Sequence, residues 1–496
     1  MRKYKSTRGE GKELRAASAI IKGLADDKGL FVPDTLPSLE DIPLSLNELG
    51  DLSYKDTAKK IIGAFFDDYT DEEIEACVEG AYHNKFAAED VVPVVKAGDA
   101  WFLELYHGRT SAFKDMALSI LPYLLTTAVK KEGEEKKICI LTATSGDTGK
   151  AALEGFAHVP GTEIIVFYPA HGVSEVQRAQ MVTQEGENTH VFAIEGNFDD
   201  AQRGVKKIFN DQDINKELEE KGVRLSSANS INIGRLVPQV AYYVYGYGKL
   251  VKEGAIKPGE SINIVVPTGN FGNILAAYYA SMMGIPVNRF ICASNENRVL
   301  TDFINSGTYD ARREFHLTNS PSMDILVSSN LERLLYHLSG GNGREIKTLM
   351  TELDTKGCYT VGENVKKGLS VFYGGFADMK DTDETIGKMY KENNYLLDTH
   401  TAVAYKVYEK YVEETGDRRP TLIAATASPY KFARSVAESV GVSNCQTDFE
   451  YVEELSKFTG VPIPQGLKDL DKREIRHKDV IEVNDMPQAV IKVLAE

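Results

Sequence analysis

Lys114 lies in the run Glu104-Leu-Tyr-His-Gly-Arg-Thr-Ser-Ala-Phe-Lys114-Asp-Met-Ala, with Ala112, Phe113, Met116, Ala117 and Leu118 around it. Apolar surroundings disfavour the ammonium and push a lysine toward its neutral amine. A neutral amine attacks an aldehyde. A lysine at a helix start is otherwise solvated surface, and these residues alone leave both readings open. A second candidate is Thr268-Gly-Asn-Phe-Gly-Asn273, which follows the apolar run Ile262–Val266 and precedes a helical stretch from Ile274. Gly269 and Gly272 permit close backbone approach, and a helix start offers unpaired N–H groups to a phosphate or carboxylate. The alternative is a tight turn that binds nothing. The loop lacks Gly-x-Gly-x-x-Gly, so it carries no dinucleotide fingerprint.

The third candidate, Thr144-Ser-Gly-Asp-Thr-Gly-Lys150, superficially suggests a nucleotide-binding loop. It fails at two positions, because Thr144 stands where glycine opens that pattern and Ala151 where Ser or Thr follows the lysine. What remains is a donor-rich turn, or a helix N-cap formed by Ser145, Asp147 or Thr148. No metal site is expected. The nine histidines form no His-x-x-x-His or His-Glu-x-x-His pattern, and the five scattered cysteines form no Cys-x-x-Cys pair.

These loops need elements to hold them. After about residue 92 the chain settles into alternating β-rich and helical stretches: Lys137–Thr142, Glu163–Tyr168, His190–Ile194, Ile262–Val266, Pro286–Ala293 and Pro420–Ala425 read as strands. That rhythm predicts an α/β fold with parallel sheets and helices on both faces, in which ligands bind at the carboxyl ends of strands. Residues 1–92 are more irregular, with helices predicted over Ser53–Phe66 and Asp71–Tyr82, the latter capped by Thr70. The polar stretch Ala377–Asn394 reads as a solvated helix or a surface insertion.

With 496 residues, two or three domains are expected. The net charge of −16 argues against a general nucleic-acid binder, without excluding a small anionic ligand. The longest apolar stretch, Met116–Val129, is too short for a bilayer span and contains Pro122. The basic start Met1-Arg-Lys-Tyr-Lys5 is followed by no apolar signal core. These features lead to the expectation of a cytoplasmic protein.

Together the segments resemble pyridoxal-phosphate enzymes of the tryptophan-synthase-like fold (fold type II) and, within them, the threonine synthases. Ser6-Thr-Arg-Gly9 and Gly23–Pro33 look like that family's opening signature, and Phe113-Lys114-Asp115 like its Schiff-base lysine segment. Ser145–Gly149 matches its substrate loop and Gly269–Asn273 its cofactor-phosphate loop. Gln177–Met181, Gly196–Gln202, Asn229–Arg235, Met323–Ile325, Ser329–Arg333 and Thr426–Phe432 follow in order. Two positions depart from the pattern: Arg109 stands where proline is common and Lys28 where glycine is common.

The resemblance implies two parallel-sheet α/β domains and an N-terminal segment: residues 1–92 for the segment, 132–258 for a small domain, and 93–131 with 259–496 for a large one. It implies pyridoxal 5'-phosphate bound through Lys114, with Gly269, Asn270, Phe271, Gly272 and Asn273 gripping its phosphate. Thr426, with Ser428 in reserve, would meet the pyridine nitrogen, and Asp147 the phenolic oxygen or the substrate amine. Ser145, Thr148, Asn229 and Arg235 would hold the substrate phosphate and carboxylate; for Arg235 a surface ion pair is the alternative. The implied reaction is conversion of O-phospho-L-homoserine and water to L-threonine and phosphate, by a monomer or homodimer with no nucleic-acid or membrane partner. A related lyase releasing a keto acid and a non-enzymatic phosphate or nucleotide binder are the alternatives.

Overall fold

The computed structural model describes residues 1–144, 146–171 and 173–495. Two sheets organise the chain. The larger has six strands in the order Phe372–Phe376, Val287–Ser294, Ile262–Pro267, Thr421–Ala425, Ala100–Glu104 and Val94–Ala97. All neighbours are parallel except the edge pair Val94–Ala97 with Ala100–Glu104. The smaller sheet is wholly parallel, in the order Val480–Glu482, Thr189–Glu195, Thr162–Pro169, Lys137–Ala143 and Val223–Ser226. The central strands are continuous apolar runs because helices cover both faces; every residue of Ile262–Pro267 is buried. The α/β expectation holds, with the predicted strands displaced by a residue or two at their ends.

The helix starts follow local chemistry. Thr70 forms a capping box with Glu73 ahead of Asp71–Tyr82, and Ser53 caps Tyr54–Phe65. The Gly196–Gln202 motif is also a helix start: Asn197 and Asp200 form a capping box for Phe198–Asn210. Ala377–Asn394 contains the helix Met379–Asn393, which buries Thr382, Thr385, Ile386 and Met389 and leaves its other residues exposed or half-buried.

The two sheets do not divide the chain at the expected boundaries. The long helix Ile233–Lys252, expected with residues 132–258, packs on the large-sheet side against Tyr54–Phe65 and Gly272–Met282. A Cβ on Gly246 would meet Leu422 at 2.9 Å and Leu103 at 3.1 Å, both on large-sheet strands. At the other end, Val480–Glu482 leaves the large unit and adds an edge strand beside Thr189–Glu195, with the following helix over Phe198–Asn210. Three residues give too little pattern for such a crossing to be visible in sequence.

The N-terminal segment is stapled to the large unit. Tyr4–Ser6 pairs antiparallel with Phe31–Pro33. Thr7 Oγ1 donates to Glu332 at 2.6 Å, and Arg8 holds the same carboxylate with two bonds of 3.0 Å. The guanidinium of Arg333, fully buried, donates to the Phe31 and Ile231 carbonyls at 3.0 and 2.6 Å. Among the described residues no helix is long and apolar enough to cross a membrane.

Candidate active site

Four loops leave the carboxyl ends of strands and converge. Residues 105–114 follow Ala100–Glu104, 268–271 follow Ile262–Pro267, and 426–432 follow Thr421–Ala425, all from the large sheet. The turn after Lys137–Ala143 comes from the small sheet. Lys114, at the first of these, is 3.6 Å from Asp147 Oδ2 at the last. The carboxyl edges of both sheets therefore face one cleft.

Lys114 sits just before the short helix Asp115–Leu118, its segment tied down by a bond from Phe113 N to Thr426 O of 2.8 Å. Its Nζ donates to Ser322 Oγ at 3.3 Å, and Ser322 Oγ donates in turn to Asp147 Oδ2 at 3.2 Å. Asp147 Oδ1 receives Lys431 Nζ at 2.7 Å and Gln177 Nε2 at 3.0 Å. Burial pushes the Lys114 amine below its ordinary value; Asp147 opposes this, while the Lys431 and Arg235 charges add to it. Burial alone would raise the Asp147 carboxyl, but Lys431, Lys114 and Gln177 hold it far below the usual carboxylate range. Asp115, next to Lys114, is pushed up to about 6 by burial, against two bonds from Thr110.

The loop 268–273 is a cradle of donors. The N–H groups of Gly269 to Ile274 meet no acceptor among the described residues. The carbonyls are occupied from outside: Ser328 Oγ donates to Gly269 O at 2.7 Å, and Asn330 N and Nδ2 each donate to Asn270 O at 3.0 Å. Arg333 braces Asn330 Oδ1 at 2.5 Å. Phe271 takes φ 62°, a left-handed conformation that costs a residue with a side chain about 1–2 kcal/mol. Such strain collects at binding sites, where a turn must curl its amides toward a ligand. A Cβ on Gly269 would lie 2.7 Å from Ser322 O, so glycine is required there. One end of the Asn273 side-chain amide takes the Tyr242 and Tyr243 hydroxyls; the other is buried with no partner among the described residues.

Arg235 is in the first turn of Ile233–Lys252, which Asn232 caps by accepting from Gly234 N at 2.9 Å. Its side chain is buried and donates to Ala228 O at 2.7 Å, while Nε has no partner among the described residues. Burial pushes its guanidinium down to about 10. No salt bridge engages it among the described residues, so the alternative of a surface ion pair is excluded. A permanent cation left without a counter-charge at the positive end of a helix dipole is an arrangement that favours an anionic ligand.

Residues 3–82 match the family model for the threonine synthase N terminus, 93–426 that for a pyridoxal-phosphate dependent enzyme, and 401–492 that for the threonine synthase C-terminal region. The chain is 38% identical over 479 residues to threonine synthase of Pseudomonas aeruginosa, covering 96% of this chain and 94% of that one. The chain belongs to the threonine synthase family. The solved pyridoxal-phosphate-bound threonine synthase from Brucella melitensis superposes with a TM-score of 0.88 at 34% identity, over 100% of both chains. The yeast threonine synthase structure gives 0.87 at 33%, over 99% of both. The human protein named threonine synthase-like 1 is 37% identical over 495 residues, covering 95% of this chain; the chain spans 64% of its length.

The residues present fit the family cofactor, pyridoxal phosphate. The donor cradle suits a phosphate dianion, and a buried lysine of weakened basicity suits an aldehyde carbon. Of the other residues expected at the site, Thr426 is buried at the carboxyl end of its strand, where its N–H donates to Thr401 Oγ1 at 3.3 Å. Ser428 is buried beside it and caps the turn Pro429–Phe432. Thr148 is half-buried in the first turn of Asp147–Phe156, and Asn229 is exposed. Ser145 lies outside the described residues. The turn beside it spends the Gly146 and Gly149 N–H groups on Thr144 Oγ1, at 3.0 and 2.9 Å, which removes two donors that a nucleotide-binding loop would offer.

Sequence reading missed Ser322, His400, Asp398 and Lys431 as parts of this cluster. His400 Nε2 accepts from Ser322 N at 3.1 Å, and its Nδ1 faces Asp398 at 3.0 Å, which fixes the turn that carries Ser322. Only Lys431 left a signal, as a lysine within the Thr426–Phe432 motif.

Proposed function

We propose that the chain is a threonine synthase, converting O-phospho-L-homoserine and water to L-threonine and phosphate. The observation that carries this reading is the pairing of a donor cradle at Gly269–Ile274 with a second anion-seeking group, Arg235, whose charge acts on Lys114. Two anion sites around one nucleophilic lysine suit a phosphorylated cofactor and a phosphorylated substrate together. Family membership over the full chain supports the reaction.

In this reading Lys114 holds the cofactor, and Gly269, Asn270, Phe271, Gly272 and Asn273 hold its phosphate. When bound, pyridoxal phosphate supplies an electron sink that delocalises negative charge from the substrate's α and β carbons. Thr426 provides a neutral hydroxyl for the ring nitrogen, which leaves that nitrogen free to stay unprotonated. Asp147 stays ionised beside Lys114 and receives the positive charge that the substrate amine brings. The released Lys114 amine carries protons between the α and β carbons. Arg235, with Ser145, Thr148 and Asn229, takes the substrate phosphate and carboxylate; a planar, permanently charged fork suits a departing phosphate. The C–O bond to the γ carbon breaks with phosphate taking the electron pair, the γ carbon takes up a proton to become the methyl group, and water then adds its oxygen at the β carbon as it gives up a proton. The setting is a cytoplasmic monomer or homodimer acting on a small molecule, with no nucleic-acid or membrane partner.

The second reading is elimination of phosphate with release of a keto acid. It uses the same residues up to loss of phosphate. Borohydride reduction of the cofactor-loaded chain, followed by peptide mapping, tests the core of both: the label is expected on Lys114. Label on another lysine refutes the assignment.

A further inference from the structure

We propose that Lys431 is a positioning residue that works through Asp147 to set the protonation state of Lys114 and to clasp the two sheets around it. This rests on Lys114 being the cofactor lysine.

Lys431 lies in the turn Pro429–Phe432, which follows a large-sheet strand, and its side chain is wholly buried. Its Nζ is 2.7 Å from Asp147 Oδ1, on the helix that follows a small-sheet strand. It also donates to Thr110 O at 3.0 Å and to Gln180 Oε1 at 3.3 Å. Thr110 opens the segment leading to Lys114, and Gln180 lies on Glu175–Val182, between small-sheet strands. One ammonium therefore touches three elements from both units.

Asp147 divides its two oxygens between two ammonium groups, Lys431 on Oδ1 and Lys114 on Oδ2. Lys431 is the nearer, at 2.7 against 3.6 Å. It therefore keeps Asp147 ionised whatever the state of Lys114. Its own charge also repels a proton on Lys114. The carboxylate stays available to receive a substrate ammonium, while Lys114 is free to be a neutral amine. The charged groups that face Lys114 are Asp147 from the helix Asp147–Phe156, Lys431, and Arg235 from the first turn of Ile233–Lys252. Ser322 stands between Lys114 and His400.

The test follows the rate at which the cofactor-free full chain captures pyridoxal phosphate at Lys114, measured against pH by absorbance and confirmed by borohydride trapping. Capture needs the neutral amine, so the midpoint of the pH–rate curve reports Lys114. Removing a like charge at this range is expected to raise the midpoint in Lys431→Met by about one pH unit. Lys431→Arg, which keeps the charge, is expected to stay close to wild type. Asp147→Asn is expected to lower the midpoint. Should Lys431→Met fail to fold, the Lys431→Met/Asp147→Asn double variant, which removes both members of the Lys431–Asp147 pair, takes its place. Its midpoint is then expected about one unit above that of Asp147→Asn alone. A folded Lys431→Met with the wild-type midpoint, or a double variant matching Asp147→Asn, overturns the proposal. Failure of the wild-type chain to capture the cofactor at Lys114 instead overturns the assignment of Lys114.

Discussion

Replacing Arg235 by methionine separates two consequences of burying a guanidinium without a counter-charge. Burial pushes its proton affinity from the ordinary arginine value down to about 10. At about 1.4 kcal/mol per pH unit this is about 3 kcal/mol at neutral pH. Methionine fills similar volume without charge, but forfeits the 2.7 Å bond to Ala228 O, worth about 1 kcal/mol. Arg235→Met is therefore expected to make the ligand-free chain more stable by about 1–2 kcal/mol, as replacements of unpaired buried charges do. The same change should weaken substrate use. Loss of a charged donor to phosphate costs about 1.5–3 kcal/mol, or a fall of about 10- to 150-fold in kcat/KM for O-phospho-L-homoserine. Arg235→Lys should recover only part of that, because a point charge cannot reproduce a two-pronged contact. The assay is urea unfolding of the cofactor-free chain with and without inorganic phosphate, alongside steady-state kinetics of the loaded enzyme. A methionine variant less stable than wild type by more than about 2 kcal/mol, and equally stabilised by phosphate, would refute the reasoning.

Three further outcomes follow from the same geometry. Thr426→Asp puts a carboxylate where a neutral hydroxyl is proposed to face the ring nitrogen; it is expected to change the ratio of threonine to keto acid, while Thr426→Ser is mild, and identical ratios in product analysis would dismiss the placement. Asn330→Ala removes the Nδ2 bond to Asn270 O and the partner of Arg333 Nη1, keeping the backbone bond, so a stability loss of about 1–3 kcal/mol and weaker cofactor binding are expected, checked by urea unfolding and cofactor titration. Lys150 and Arg109 hold Glu154, against its burial, at about 2, below its ordinary 4.5. Its stabilisation is thus full above pH 4.5 and lost as pH falls through 2, and Glu154→Gln should flatten the acid limb of the unfolding curve by about 2–3 kcal/mol.

Periodicity carried most of the fold, because buried parallel strands and capped helices write their pattern locally. Ile262–Pro267 and the Thr70 cap are cases where the residues alone determine the element. The site was legible where a loop announces itself by glycine, as at Gly269. It was not legible where geometry is made at a distance. Ser322 reaches Lys114 across 208 positions and carries no local signature, while Lys431 reaches Thr110 across 321 and shows only its place in the Thr426–Phe432 motif. The departures from the family pattern have simple physical contexts. Lys28 takes φ 64°, which explains the usual glycine. Arg109 is exposed and paired with Glu154 at 3.1 Å, away from the Asp147 cluster. The edge strand Val480–Glu482 was missed because its pairing partner lies nearly three hundred residues earlier.

The central claim is that this chain completes hydration after losing phosphate. The most direct measurement is to incubate the pyridoxal-phosphate-loaded protein with O-phospho-L-homoserine and identify the amino-acid and keto-acid products against released phosphate. Threonine synthase activity predicts L-threonine and phosphate in equal amounts. Phosphate released with a keto acid in place of threonine, or no turnover by a loaded protein, would contradict it.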